Sequence, residues 1–468
     1  MVFASLVFLC IFLPLNLILY FISKNAIYRN VLLIIFSLFF YAWGEPLWIT
    51  LLIFTTFIDY YNAILVEKFR GTRWAKAPLI ASVIFNFGIL IAFKYAGFLT
   101  DNINAILGTH IKAPGWSLPI GISFYTFQSI SYVLDVYRNE VKAQREYYKF
   151  LLFVSLFHQL VAGPIVRYVD IASEIDNRSV TLKDISDGFS RFCMGLFKKV
   201  FFANTAGEIA ARYLDGDLSN LATASAWYGL ILFSLQIYFD FSGYSDMAIG
   251  MGRMVGFHYL ENFRFPYIAR SASEFWRRWH MSLGSFFRDY VYIPMGGNRK
   301  HVYLNLFVVW FLTGMWHGAS WNFILWGLYF GVLIALERLF LGKLLEKIGA
   351  IFGHIYLLFA AVMGWALFYY TDIHRLGKFV SVLFGNSGNT GFNLDLQLTF
   401  MANASWFLFA LLFCLPIKPA IDTWLDRRSL AIRTVAAGGE VVLNAGMFLV
   451  AIALLVGKSY NPFLYFRF

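Results

Sequence analysis

Residues 303–336 read YLNLFVVWFLTGMWHGASWNFILWGLYFGVLIAL, a run without Asp, Glu, Lys or Arg. One membrane-spanning helix takes about 20 apolar residues, so the run makes two spans, or one span and a re-entrant piece, with its break at Gly314 and Gly318. His317 lies at that break, within Gly314-Met315-Trp316-His317-Gly318. Irregular backbone at membrane depth persists only where protein buries it or where it lines a water-filled cavity. The imidazole is therefore expected to face an interior chamber, and an ionisable group in such a place reads as functional. Trp316 and Asn322 are read with it as chamber-lining residues.

The rest of the chain fits that setting. Hydrophobic residues make up 59% and charged residues 14%, against roughly 45–50% and about 25% in soluble domains, and the mean hydropathy is +0.64. The composition predicts an all-α, polytopic membrane protein, with about ten to twelve crossings plus re-entrant segments. Residues 1–468 are read as one integral-membrane domain, and the apolar run 2–21, too long for a signal-peptide core, as its first span. Cys10, Cys193 and Cys414 are scattered in apolar stretches and read as small buried hydrophobes, so neither a metal site nor a disulfide framework is expected. The net charge of +11 sits in short loops between apolar runs, as the positive-inside bias of membrane proteins predicts. No nucleic-acid partner is expected. The basic connections at 24–29, 67–76, 138–149 and 418–433 are placed on the cytoplasmic side, and the weakly charged ones at 44–46, 100–114, 215–220 and 385–395 outside. Both termini then lie outside.

Three polar constellations interrupt this pattern. Residues 253–301 are the least membrane-like, rich in arginine and aromatics. There Ser273-Glu274 resembles a helix start, and a continuous helix would place Trp276, His280, Leu283 and Phe287 on one stripe with Arg277 and Arg288 beside it. These arginines suit either lipid phosphates at the interface or a polyanionic cytosolic ligand. In the second constellation, Gln236, Asp240 and Tyr244 repeat at i+4, as do Ser242 and Asp246. A single Asp at the centre of a span costs roughly 2.5–3.5 kcal/mol, so both carboxylates need partners. They serve either as polar glue between helices or as chamber lining. The third is His317. His110, His158, His258, His301, His354 and His374 read as ordinary interfacial or hydrogen-bonded histidines.

A buried imidazole titrating near neutrality can take a proton from a hydroxyl and return it. Acyl transfer to a hydroxyl uses such a base, worth typically about 10²–10⁴ in rate, together with donors for the developing oxyanion. No G-x-S-x-G elbow, P-loop or dinucleotide fingerprint is present.

At this point the motifs match a family. Phe275-Trp276-Arg277-Arg278-Trp279-His280-Met281-Ser282-Leu283, Tyr292-Ile293-Pro294-Met295-Gly296-Gly297-Asn298 and Met315-Trp316-His317-Gly318, with the histidines 37 positions apart, resemble the membrane-bound O-acyltransferase family, in its bacterial alginate O-acetylase-like branch. Tyr41-Ala42-Trp43-Gly44, Pro119-Ile120-Gly121-Ile122-Ser123-Phe124-Tyr125 and residues 238–248 are similar to the same branch. The resemblance runs from the first span to the last residue. It implies a ring of helices around a central funnel or tunnel, with His317 as catalytic histidine and His280 supporting it. It also implies acetyl-CoA as a cytosolic donor substrate with no bound cofactor, and a bacterial cytoplasmic (inner) membrane location amid lipid. The implied acceptor is a glycan, namely alginate, another exopolysaccharide or peptidoglycan, reached through a periplasmic O-acetyltransferase or esterase-like partner protein. Arg277, Arg278 and Arg288 would seat the donor's phosphates. Phe463-Leu464-Tyr465-Phe466 resembles a terminal motif of this branch, and Tyr465 is either an acyl relay or an aromatic interface anchor. The rival readings are transfer of another acyl group such as D-alanine, a transporter using the same buried groups, and a non-catalytic scaffold.

Overall fold

The computed structural model describes residues 1–457, 463 and 464. Every regular element among them is helical. Among the described residues, seven helices are long and apolar enough to cross a membrane: Ala26–Gly44, Ile49–Lys68, Arg73–Leu107, Trp321–Ile348, Ala350–Tyr369, Leu394–Phe413 and Leu430–Leu455. Two shorter apolar helices, Phe8–Ile22 and Val302–His317, accompany them. The chain is a polytopic membrane protein, as its composition predicts. Its cysteines depart from expectation at one position, since Cys10 is exposed whereas Cys193 and Cys414 are buried.

The chain forms two compact units. The first comprises Met1–Phe192 and Tyr244–Glu261, with Phe463 and Leu464. In it Ile49–Lys68 packs with Lys76–Leu90 and Ile122–Arg138 around a buried carboxylate, Asp59. Asn86 Nδ2 donates to both oxygens of Asp59 at 2.9 Å and Ser82 Oγ donates to one, so a polar group that would be costly in lipid ties two helices together. Gly121, at φ +78°, turns the chain into Ile122–Arg138 where a Cβ would stand 2.6 Å from the Leu160 carbonyl oxygen. That position admits only glycine.

The second unit comprises Cys193–Gly243 and Asn262–Gly457. Its centre is an antiparallel hairpin of Val302–His317 and the return helix Trp321–Leu336. A Cβ on Gly327 would stand 3.0 Å from the Gly314 Cα, and one on Gly314 would stand 3.1 Å from the Ile324 Cα. The glycines thus let the two backbones touch, which is how membrane helices gain packing when lipid supplies no hydrophobic drive. Gly314 stays inside its helix, and the break falls at Gly318, which is extended. Ala350–Tyr369 packs on the other side of the return helix.

The helix Thr223–Met254 contributes residues to both units. Within the second, buried Asp240 pairs with buried Lys199 at 2.5 Å. Within the first, Asp246 accepts from Arg191, with Nη2 at 2.7 Å, and Arg191 also reaches Glu261. Each carboxylate therefore has a cation from another part of the fold.

Candidate active site

His317 is the last residue of its helix, and three aromatic rings wall its buried imidazole edge-on: Trp316 at 5.0 Å, Trp326 at 4.8 Å and Phe368 at 5.4 Å between centroids. Asn322 holds the wall in place. Its Nδ2 donates to the carbonyls of Leu367 and Phe368 at 3.2 and 3.4 Å, tying the return helix to Ala350–Tyr369.

His280 does not sit on a continuous helix, contrary to the spacing argument. Ser271, not Ser273, caps the helix Ala272–Trp276, its Oγ accepting from Glu274 N at 3.1 Å. The helix ends at Trp276, His280 takes a left-handed conformation at φ +44°, ψ +53°, and Met281–Phe287 is a separate helix. The cause is the preceding segment. Arg264 N donates to the Arg278 carbonyl at 2.8 Å and Met281 N to the Asn262 carbonyl at 2.9 Å, so these groups are withdrawn from an intrahelical ladder. The predicted stripe through Trp276, His280, Leu283 and Phe287 therefore has no single axis.

Those four residues nevertheless meet at one cavity of about 910 Å³. Leu306, Val309, Trp310 and Thr313 line it from the His317 helix, and His317 follows Thr313 by one turn on the same stripe. His280 lines it with its buried ring 5.7 Å from Trp316, so Trp316 touches both imidazoles. Arg270, Arg277, Arg288 and Arg338 add four exposed guanidinium-bearing side chains to its lining. Arg288 also pairs with Asp289 at 2.7 Å. Arg278 is not among the lining residues. Glu274 at 2.8 Å and the Arg264 carbonyl at 3.2 Å hold its guanidinium.

The remaining predicted site residues lie apart from this cavity lining. Gln236 packs against Gly207, and Asp240 and Asp246 are occupied by Lys199 and Arg191. Ser242 is buried, its hydroxyl without a hydrogen-bond partner among the described residues. Tyr244 belongs to the first unit, stacked on Phe3 at 4.6 Å and edge-on to Phe463 at 4.4 Å. For Asp240 and Asp246 the helix-bridging reading describes the observed contacts. Tyr465 lies outside the described residues. Of the other histidines, His158 bonds Tyr259 at 3.3 Å, His258 bonds Glu174 at 2.8 Å and His354 bonds the Ala269 carbonyl at 3.1 Å.

Besides Arg270 and Arg338, two polar residues that hold the site together are missing from the sequence reading. Asn262 bonds the His280 ring at 3.1 Å. Glu337, which ends the uncharged run, lines the cavity and caps the Ala272–Trp276 helix. It accepts from Ala272 N at 2.5 Å, Ser273 N at 2.9 Å, Ser273 Oγ at 2.6 Å and Tyr356 Oη at 3.0 Å. Its only sequence signal is its place at the edge of that run.

Residues 138–377 match the model of the membrane-bound O-acyltransferase family. The chain is 39% identical to the probable alginate O-acetylase of Pseudomonas putida, with 100% of each chain covered. It is 42% identical to that of Pseudomonas syringae pv. tomato, over 82% of this chain and 75% of the relative. The peptidoglycan O-acetyltransferase of Helicobacter pylori is 34% identical, over 72% of this chain and 70% of the relative.

Proposed function

The chain belongs to the membrane-bound O-acyltransferase family, and from that premise we propose that it moves acetyl from cytosolic acetyl-CoA across the bacterial inner membrane. The acetyl serves O-acetylation of a cell-surface polysaccharide (alginate, another exopolysaccharide or peptidoglycan) with a periplasmic partner completing delivery. The observation that carries this reading is the buried His317 one turn beyond an arginine-lined cavity that His280 also lines. Arg277, Arg288 and Arg338 supply the fork-shaped donors that phosphates take, and the aromatic wall suits the thioester arm. At His317 the acceptor oxygen bonds to the thioester carbonyl carbon as the imidazole takes its proton. The carbon–sulfur bond then breaks, and the proton passes to the departing thiolate. Tyr465 is the proposed relay that carries the acetyl ester to the partner.

The test is the ester-linked acetyl content of surface glycans in a deletion strain complemented with wild type or H317A at matched membrane levels. Acetyl restored by wild type alone supports the assignment. Restoration by both removes His317 as the base, and no loss in the deletion removes acetyl as the cargo. A C-terminal peptide free of acetyl during turnover, with Y465F fully active, would sink the relay.

A further inference from the structure

Asn262 Oδ1 lies 3.1 Å from His280 Nδ1, 2.8 Å from Ser282 Oγ and 3.2 Å from Ser282 N. The last contact fixes the chemistry of the other two. A backbone N–H is only a donor, so the Asn262 atom facing it is the amide oxygen, which is only an acceptor. Two facing lone pairs repel, so His280 Nδ1 carries the hydrogen; Ser282 Oγ also lies 3.4 Å from that nitrogen, but its own hydrogen goes to Asn262 Oδ1 at the shorter 2.8 Å. In the neutral ring Nε2 is then a bare acceptor. That nitrogen is buried, has no hydrogen-bond partner among the described residues, and belongs to a residue lining the cavity. A buried polar atom left in that state is costly, and a hydrogen-bond donor from a ligand in the cavity would recover that cost.

We infer that Asn262 is a positioning residue that locks His280 in its Nδ1–H tautomer, so that Nε2 accepts a hydrogen bond from an amide N–H on the arm of a pantetheine thioester seated in the cavity. This rests on the thioester-donor reading above. It divides the labour of the two histidines: neutral His280 orients the donor and offers no hydrogen to the developing oxyanion, while His317 handles the proton. The backbone supports the lock from both sides, because Met281 N bonds the carbonyl of Asn262 itself at 2.9 Å.

Histidine-selective ¹⁵N spectra of the full chain in lipid nanodiscs test this directly, with the His280 signals identified by their absence from H280Q. The expected spectrum has Nδ1 protonated and Nε2 bare, with the Nε2 signal moving when coenzyme A is added. The opposite tautomer in the wild type overturns the inference, as does coenzyme A that binds without moving Nε2. Coenzyme A that fails to bind wild type sinks the donor reading and with it the proposed contact, while the tautomer is still read from the free protein. N262L, of similar size but without an acceptor, is expected to release the tautomer and to lower acetyl transfer about two- to tenfold. N262D keeps an acceptor and should lose much less. Unchanged spectra and transfer in a folded N262L would refute the lock, and the wild-type spectrum decides it if N262L does not fold.

Discussion

Lys199 and Asp240 offer the sharpest discrimination between a structural and a chemical role for the polar residues of the Thr223–Met254 helix. Both side chains are 4% exposed and their charged atoms stand 2.5 Å apart. At an effective dielectric constant of about 20 that separation gives an attraction of about 7 kcal/mol, opposed by a desolvation cost of several kcal/mol for each ion. The net worth of the pair against two apolar side chains is therefore near zero, whereas removing one partner strands a buried charge at a cost of about 3–5 kcal/mol. D240L and K199M should each lower the stability of the detergent-solubilised protein by that amount, and K199M/D240L should recover to within about 1 kcal/mol of wild type. The assay is a double-mutant cycle from equilibrium unfolding, run beside glycan acetylation in complemented cells. Additive losses in the double variant would refute the pairing argument. A double variant that is stable but transfers no acetyl would show that Asp240 belongs to the chemistry.

Two further outcomes follow from named contacts. E337Q replaces one of two anionic acceptors by an amide facing backbone N–H donors, and one charge-assisted bond is worth about 1.5–3 kcal/mol. It should raise the KM for the proposed donor, acetyl-CoA, about tenfold with a smaller change in kcat, and unchanged kinetics in a folded E337Q would remove Glu337 from positioning the cavity wall. Asp184 begins the helix Leu182–Phe197, where the Thr181 hydroxyl at 2.6 Å and Thr181 N at 3.0 Å hold its carboxyl down to about 2 from an ordinary 3.8. A depressed carboxyl stabilises the fold fully above its unfolded value, and that contribution is lost as pH falls through the folded one. The stability difference between wild type and D184N should therefore shrink between about pH 4 and pH 2, and a constant difference in melting scans would refute the linkage.

Hydropathy and charge are properties of windows about 20 residues long, so the membrane class and the burial of His317 were readable from residues 303–336 alone. The cost of placing an imidazole beside lipid is local. The same local reasoning failed at His280. Periodicity carried a helix through a position where Asn262 and Arg264 take the backbone partners a helix would need.

Asp240 and Asp246 kept two readings because a sequence shows that a buried carboxylate needs a partner without showing which one. Lys199 lies 41 positions from Asp240 and Arg191 lies 55 from Asp246. The all-helical membrane chain, the family resemblance and the buried histidine were legible from the amino-acid order. That Arg277 lines the cavity while Arg278 is bound to Glu274, that Glu337 caps the helix beside that cavity, and that Asn262 bonds the His280 ring became visible in the folded chain. The difference is one of range. Apolar burial is set residue by residue along the chain, whereas hydrogen bonds and ion pairs are set by whichever distant groups folding brings within 3 Å or so.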